Sequence, residues 1–187
     1  MAIFEEALEK TIKHEGGYCL SMVSGDKGGE TYAGISKRSN KNWEGWKLID
    51  EWRMEKRLDG SLGEKRKEEL MVLANSLYRK MHWNPLKCDL IVHQGMANVL
   101  FDYAVNAGVK TAVKALQQCL LDVGHEIDVD GIFGKQTLEA LNYSETTALC
   151  NAYTLTRVRL YVDICKRDTS QRTFMLGWLT RALTYTA

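Results

Sequence analysis

The chain has 187 residues and a formal net charge of +1, with 25 lysines and arginines against 24 aspartates and glutamates. This length suits one compact domain or two small ones sharing a core. The charge balance excludes the broad cationic field of a protein that binds nucleic acid regardless of sequence, and 45% hydrophobic residues exclude global disorder.

The start, Met-Ala-Ile-Phe-Glu-Glu, shows no basic region leading into an apolar run, so no cleavable secretory signal is read. No stretch approaches the roughly 18 apolar residues of a membrane-spanning helix. Synthesis in the cytoplasm is expected. Cys19, Cys88, Cys119, Cys150 and Cys165 are scattered, with no CxxC pair. They read as reduced thiols, mostly in the core.

In chain order, Phe4, Leu8 and Ile12 fall on one face of a first helix, and Gly16-Gly17 stops it. Residues 16–35 are dense in glycine and suit short strands and tight turns, such as a small hairpin. Residues 40–60 carry Trp43, Trp46 and Trp52 among charges and give no clear period; Asp59-Gly60 reads as a turn. The tryptophans could stack on sugar, but packing is the expected role. Between about Leu62 and Trp83 a helix places Leu70, Leu73, Leu77 and Met81 on one stripe, closed by Pro85. Gln94–Ala107 carries Met96, Leu100, Tyr103 and Ala107 on one face, and Thr111–Val123 carries Val113, Leu116, Leu120 and Val123. A polar loop leads to a helix near Lys135–Leu141. The segment Glu145–Arg167 is apolar on two sides, through Leu149, Tyr153, Leu160 and Ile164 and through Leu155, Val158, Val162 and Cys165, which predicts a central helix. A last helix is expected over Ser170–Leu183. The class is mainly α, with a small β element near the N-terminus.

Two carboxyl groups flanking a glycosidic bond can hydrolyse it, one protonated to donate to the leaving oxygen and one ionised to activate water or attack the sugar. Glu15 closes a helix, where the partial negative charge of the helix end disfavours an ionised carboxylate. Taken alone, Glu15 is an ordinary helix-end glutamate, Asp26 a turn residue and Thr31 a strand residue.

The stretch from His14 to Ser36 resembles the phage-type lysozyme pattern, in which His-Glu-Gly ends the first helix and a hairpin presents Asp and Thr. It is more similar to glycoside hydrolase family 108, lysozyme-like N-acetylmuramidases once described as secretion activators. The family's EGGY signature stands as Glu15-Gly16-Gly17-Tyr18, and the D-x-G-G-x-T-x-x-G-I pattern as Asp26, Gly28, Gly29, Thr31, Gly34 and Ile35. Tyr78 and Trp83 match a Tyr and Trp that end a helix. Residues 101–108, FDYAVNAG, match the opening of a peptidoglycan-binding region. Ala115-Leu116-Gln117, the DGxxGxxT run from Asp130 to Thr137, and Phe174, Gly177, Trp178 and Arg181 match its later signatures. Nothing is matched over residues 37–60.

The resemblance implies a lysozyme-like helical fold with a small β-hairpin, a catalytic region over residues 1–92 and a helical peptidoglycan-binding region over 93–187 packed with it. It implies hydrolysis of the β-1,4 bond between N-acetylmuramic acid and N-acetylglucosamine, with Glu15 as general acid and Asp26 and Thr31 handling the water; were Asp26 not the base, Glu30 is the alternative. Tyr18, Tyr32 and Asn106 are candidate substrate contacts. The alternatives are a non-catalytic wall-binding protein or one that promotes secretion. The expected partner is peptidoglycan glycan, met at the cell wall by a monomer, without nucleic acid or a membrane span. The four histidines share no ligand spacing, so neither metal nor cofactor is expected, and the Glu126–Gly131 run lacks the closing Glu of a calcium loop. Arg157 falls on an apolar stripe and needs a buried partner, for which Asp102 is the candidate.

Overall fold

In the computed structural model the described residues are 1–22, 29–59 and 64–185. They form eight α-helices and one three-stranded antiparallel sheet, a mainly α fold with a small β element. The order is α1 (Phe4–His14), β1 (Leu20–Met22), β2 (Glu30–Tyr32), β3 (Ile35–Ser36), α2 (Gly45–Asp59), α3 (Glu64–Tyr78), α4 (Gln94–Ala107), α5 (Val109–Asp122), α6 (Lys135–Tyr143), α7 (Thr146–Arg167) and α8 (Arg172–Leu183). A π-helical segment, Arg79–Trp83, continues α3, and 3-10 turns at Cys88–Leu90 and Thr169–Gln171 precede α4 and α8. The chain divides into two compact units, residues 11–79 and residues 1–10 with 80–187.

The first unit holds the sheet, α2 and α3. β2 is central and pairs antiparallel with both neighbours, Ser21 opposite Thr31 and Thr31 opposite Ser36. The β2–β3 connection is two residues, Ala33 and Gly34, both with positive φ (47° and 78°). That is the requirement of the tight hairpin turn whose twist matches its strands. Residues 40–59, which give no clear period in the sequence, supply α2 and the buried Trp43, Trp46 and Ile49. Trp43 stacks on Tyr32 with centroids 5.8 Å apart and meets Trp46 edge-on at 5.1 Å. Their indole N–H groups donate to the carbonyls of Leu73 and Asn40. Packing is thus the role of Trp43 and Trp46. Gly60 and the turn proposed at it lie outside the described residues. On α3 the buried residues are Leu70, Ala74 and Tyr78. The expected stripe runs true at Leu70, but Leu73 and Leu77 are half-buried and Met81 is exposed. Met81 belongs to the π-helical segment, whose wider turn breaks the 3.6-residue period.

The second unit is built on α4, which is buried at every position from Met96 to Ala104. Around it pack α5 and α7, with α8 on α7. Phe4, Trp83 and Phe101 form an edge-to-face aromatic triangle with centroids 5.3–5.8 Å apart. The expectation of a two-sided α7 is corrected: it buries one stripe, Leu149, Tyr153, Arg157, Tyr161 and Cys165, while Leu155 is 59% exposed. The all-round burial belongs to α4. Four of the five cysteines are buried and all five are free thiols.

Candidate functional site

Glu15 follows α1 directly. Its N–H bonds to the carbonyls of Thr11 and Ile12, each at 3.1 Å, and Gly17 N–H reaches back to Ile12 O at 2.9 Å. Gly16 and Gly17 have φ of 86° and 79°, the left-handed conformation that turns the chain off a helix at little cost to glycine. The half-buried Glu15 side chain is seated on the hairpin turn. A β-carbon placed on Gly34 would lie 2.6 Å from Glu15 Oε2 and 2.7 Å from the Tyr78 hydroxyl. Gly34 is therefore required twice, for its positive φ and for the close approach of two oxygens. The Tyr78 hydroxyl donates to Ala33 O at 2.8 Å in a buried bond, and Ala33 N–H donates to Cys19 O. These bonds hold the non-glycine residue Ala33 in a left-handed conformation, a strained position of the kind that persists where surroundings over-determine it.

Thr31 sits at the centre of the sheet and is half-buried. Strand alternation sends its side chain to the face opposite those of Glu30 and Tyr32. Asp26 lies outside the described residues. The Tyr18 hydroxyl donates to Asn75 Oδ1 at 2.6 Å, and burial raises its pKa against the opposing effect of that bond. Tyr32 is buried against Trp43, and burial, with the nearby Tyr18 and Cys19, pushes its pKa to about 12. Both phenols are neutral hydrogen-bonding groups at neutral pH.

A second carboxylate group, not foreseen as such, joins β2 to α2. Glu30 is paired with Arg53 and with Lys37, the latter at 3.2 Å, and Lys37 also approaches Asp50 at 3.4 Å. The bond from Arg53, followed by that from Lys37, holds the Glu30 carboxyl below its ordinary pKa. Glu30 is thus ionised and engaged by two cations. The sequence signal was available, acidic Glu30 with basic Arg53 and Lys37, but nothing local ties a strand to a helix 23 residues later.

In the second unit Phe101, Asp102, Leu116, Gln117, Phe133 and Thr137 of the motifs are buried, while Phe174 is 55% exposed. Asp102 is fully buried and accepts from Arg157 Nη2 at 2.9 Å and from Arg181 Nε at 2.9 and 3.1 Å. Arg157 also lies over the Tyr103 ring, 4.8 Å from its centroid. The partner expected for Arg157 is the one found, and Arg181 is the addition. Asn106 Oδ1 accepts from the Tyr161 hydroxyl at 2.9 Å. Gln117 locks the following loop: its amide nitrogen donates to Asp130 Oδ1, Ile132 O and Thr137 Oγ1, and its oxygen accepts from Gly131 N–H. The calcium-like run is therefore a turn closed by hydrogen bonds, with Asp130 capping Ile132 N–H. Among the described residues no group of three or more His, Cys, Asp or Glu could hold a metal ion. No described helix is long and apolar enough to cross a membrane.

Two family models match. The one described as Glycosyl hydrolase 108 covers residues 8–108, and the one described as Predicted Peptidoglycan domain covers residues 111–183. The chain belongs to glycosyl hydrolase family 108, so its class is glycosidase and its function is related to peptidoglycan. Among solved structures it is similar to that of Brucella abortus SagA, with a TM-score of 0.64 and 24% identity over 97% of this chain and 90% of that one, a likeness of fold. No curated protein matches it.

Proposed function

We propose that the protein hydrolyses the β-1,4 bond between N-acetylmuramic acid and N-acetylglucosamine in peptidoglycan. The observation that carries this reading is the seating of the Glu15 carboxyl against Gly34 and beside Tyr78, in a chain of a glycosidase family. Glu15 donates its proton to the glycosidic oxygen as the bond from that oxygen to the sugar C1 breaks. A water attacks C1 from the opposite face, and Asp26, assisted by Thr31, takes its proton. The anomeric centre inverts, which calls for carboxyl groups about 6.5–9.5 Å apart. Glu30 is the weaker candidate for the base, because Arg53 and Lys37 already engage it. Tyr18 and Tyr32 serve the substrate as neutral hydroxyl groups, and the Asn106 amide nitrogen is a further contact. The catalytic region is assigned to residues 1–92 and the peptidoglycan-binding region to 93–187. The enzyme is made in the cytoplasm and acts at the cell wall as a monomer.

Mass spectrometry of muropeptides from digested sacculi tests the bond cleaved. Reducing muramic acid ends are expected, whereas reducing glucosamine ends or cut peptides overturn the assignment. Glu15→Gln keeps the shape and removes the acid proton, so clearing in a peptidoglycan gel should vanish. Persistent clearing would remove Glu15 from the mechanism. Asp26→Asn should slow turnover sharply, and unchanged turnover would move the base elsewhere.

A further inference from the structure

A groove of about 490 Å³ opens in the second unit between α5, α7 and the loop before α6. Lys110, Thr111 and Lys114 line it from α5, Thr156 and Leu160 from α7, and Val129 from the loop. Lys110 and Lys114 are four residues apart, so they share one helix face. Neither forms an ion pair with a described residue. The nearby Asp130 carboxylate is taken up by Ile132 N–H and the Gln117 amide, and feels Lys114 only at longer range.

The two lysine stems are set by the loop. A β-carbon on Gly131 would stand 2.8 Å from Lys110 Cγ and 3.2 Å from Lys114 Cγ. Gly131, at φ 83°, is itself fixed by the bond from its N–H to Gln117 Oε1 at 2.8 Å. The Gln117 lock thus does more than close a turn. It holds an apolar wall and two aliphatic stems in place, with the ammonium groups left for a ligand.

We propose that this groove binds the carboxylate-bearing stem peptide of peptidoglycan. The chemistry favours the peptide over the sugar backbone. Neutral N-acetyl sugars gain little from two ammonium groups, whereas a stem of alanine, glutamate and a diamino acid presents carboxylates to them. Its methyl groups match Val129 and Leu160, and its amides match the hydroxyls of Thr111 and Thr156. The inference rests on the peptidoglycan-related function and is independent of which bond is cleaved.

The test uses the full chain carrying Glu15→Gln, sedimented with whole sacculi and with glycan strands stripped of their stems by an amidase, the lactyl carboxyls so freed then capped as neutral amides. Retention should be about five- to tenfold greater on the stem-bearing material, as expected for two exposed charge pairs. The preference should fall with added salt. It should be lost in Lys110→Gln/Lys114→Gln and kept in Lys110→Arg/Lys114→Arg. Equal retention on stripped strands, or a preference undiminished by the glutamines, overturns the proposal. Titration of the lysine-intact chain with a synthetic stem tetrapeptide gives a readout that does not depend on any lysine variant folding. Amide shifts grouped at residues 110–114, 129 and 156–160 support the groove, and shifts elsewhere or none overturn it. A protein that binds the stem but releases no reducing sugar would defeat the proposed hydrolysis and leave this inference standing.

Discussion

The two units use their motif residues in opposite ways. In residues 11–79 the motif glycines create a place for Glu15, whose carboxyl rests on the bare Cα of Gly34 in the hairpin turn. In the second unit Asp102 is shared by Arg157 and Arg181, and Gln117 holds Asp130. Signatures that look alike as letter patterns thus do different work: one seats a carboxyl against a hairpin turn, and the other ties helices and a loop together through ion pairs and an amide. A buried ion triad and a buried amide lock are costly to break by halves, because each leaves desolvated partners behind.

The comparison can be broken most severely at Asp102. Asp102→Ala leaves the buried Arg157 guanidinium and its neighbour Arg181 without their shared carboxylate, and a loss of about 3–5 kcal/mol is expected in urea unfolding. A loss below about 1 kcal/mol would show that the triad is not the clamp of this unit. Gly34→Ala should act on the other side of the contrast. The new methyl meets Glu15 Oε2 and the Tyr78 hydroxyl, and the residue is held at φ 78°. A fall in turnover of about 10²-fold, of the size a 1 Å misplacement brings, should accompany a stability loss of about 1–3 kcal/mol. Turnover equal to that of the unaltered chain would mean Glu15 needs no such seat.

Gln117→Leu sharpens the second unit further. It removes the acceptor of Gly131 N–H and the donor to Thr137, with an expected cost of about 1–3 kcal/mol in thermal unfolding. Loop amides at 130–132 should lose hydrogen-exchange protection first; unchanged protection would contradict the lock. The smallest effect is expected at Glu30. Its folded pKa is lowered by Arg53 and Lys37, so its contribution is complete above the ordinary value of 4.5 and lost as pH falls through the lowered value. Glu30→Gln should therefore reduce stability at neutral pH and converge with the unaltered chain in acid. A constant difference across that range would rule out the ion pairs as its cause.

How far the fold could be read depended on how each helix is buried. The expectation for α4 coincides with Gln94–Ala107 because its apolar period is long and Gly108 ends it. Helix α2 gives no clear period because, among its residues whose burial is described, the buried side chains, Trp46 and Ile49, are few and set among charges; its anchors are tertiary, with Trp43 stacking on Tyr32 of a strand. Val123, expected on the face of α5, is exposed just past the helix end. At the site, the helix stop after Glu15 was legible, since Gly16-Gly17 has a local cause. The role of Gly34 as a seat for Glu15 was not, because it depends on a turn, a helix end and Tyr78 meeting in space.

The sequence by itself determined that the chain is helical with a glycine-rich hairpin near its start, that Glu15 stands at a helix end, and that Arg157 needs a buried carboxylate. Period, helix stops and the cost of an unpaired charge are properties of local sequence or of one side chain. Only the tertiary structure decided which oxygens crowd Gly34, that Arg181 joins Arg157 on Asp102, and that Gln117 sets the lysines of α5 over Gly131. Those are close approaches between residues distant in the chain, and spacing along a sequence carries no record of distance across a fold.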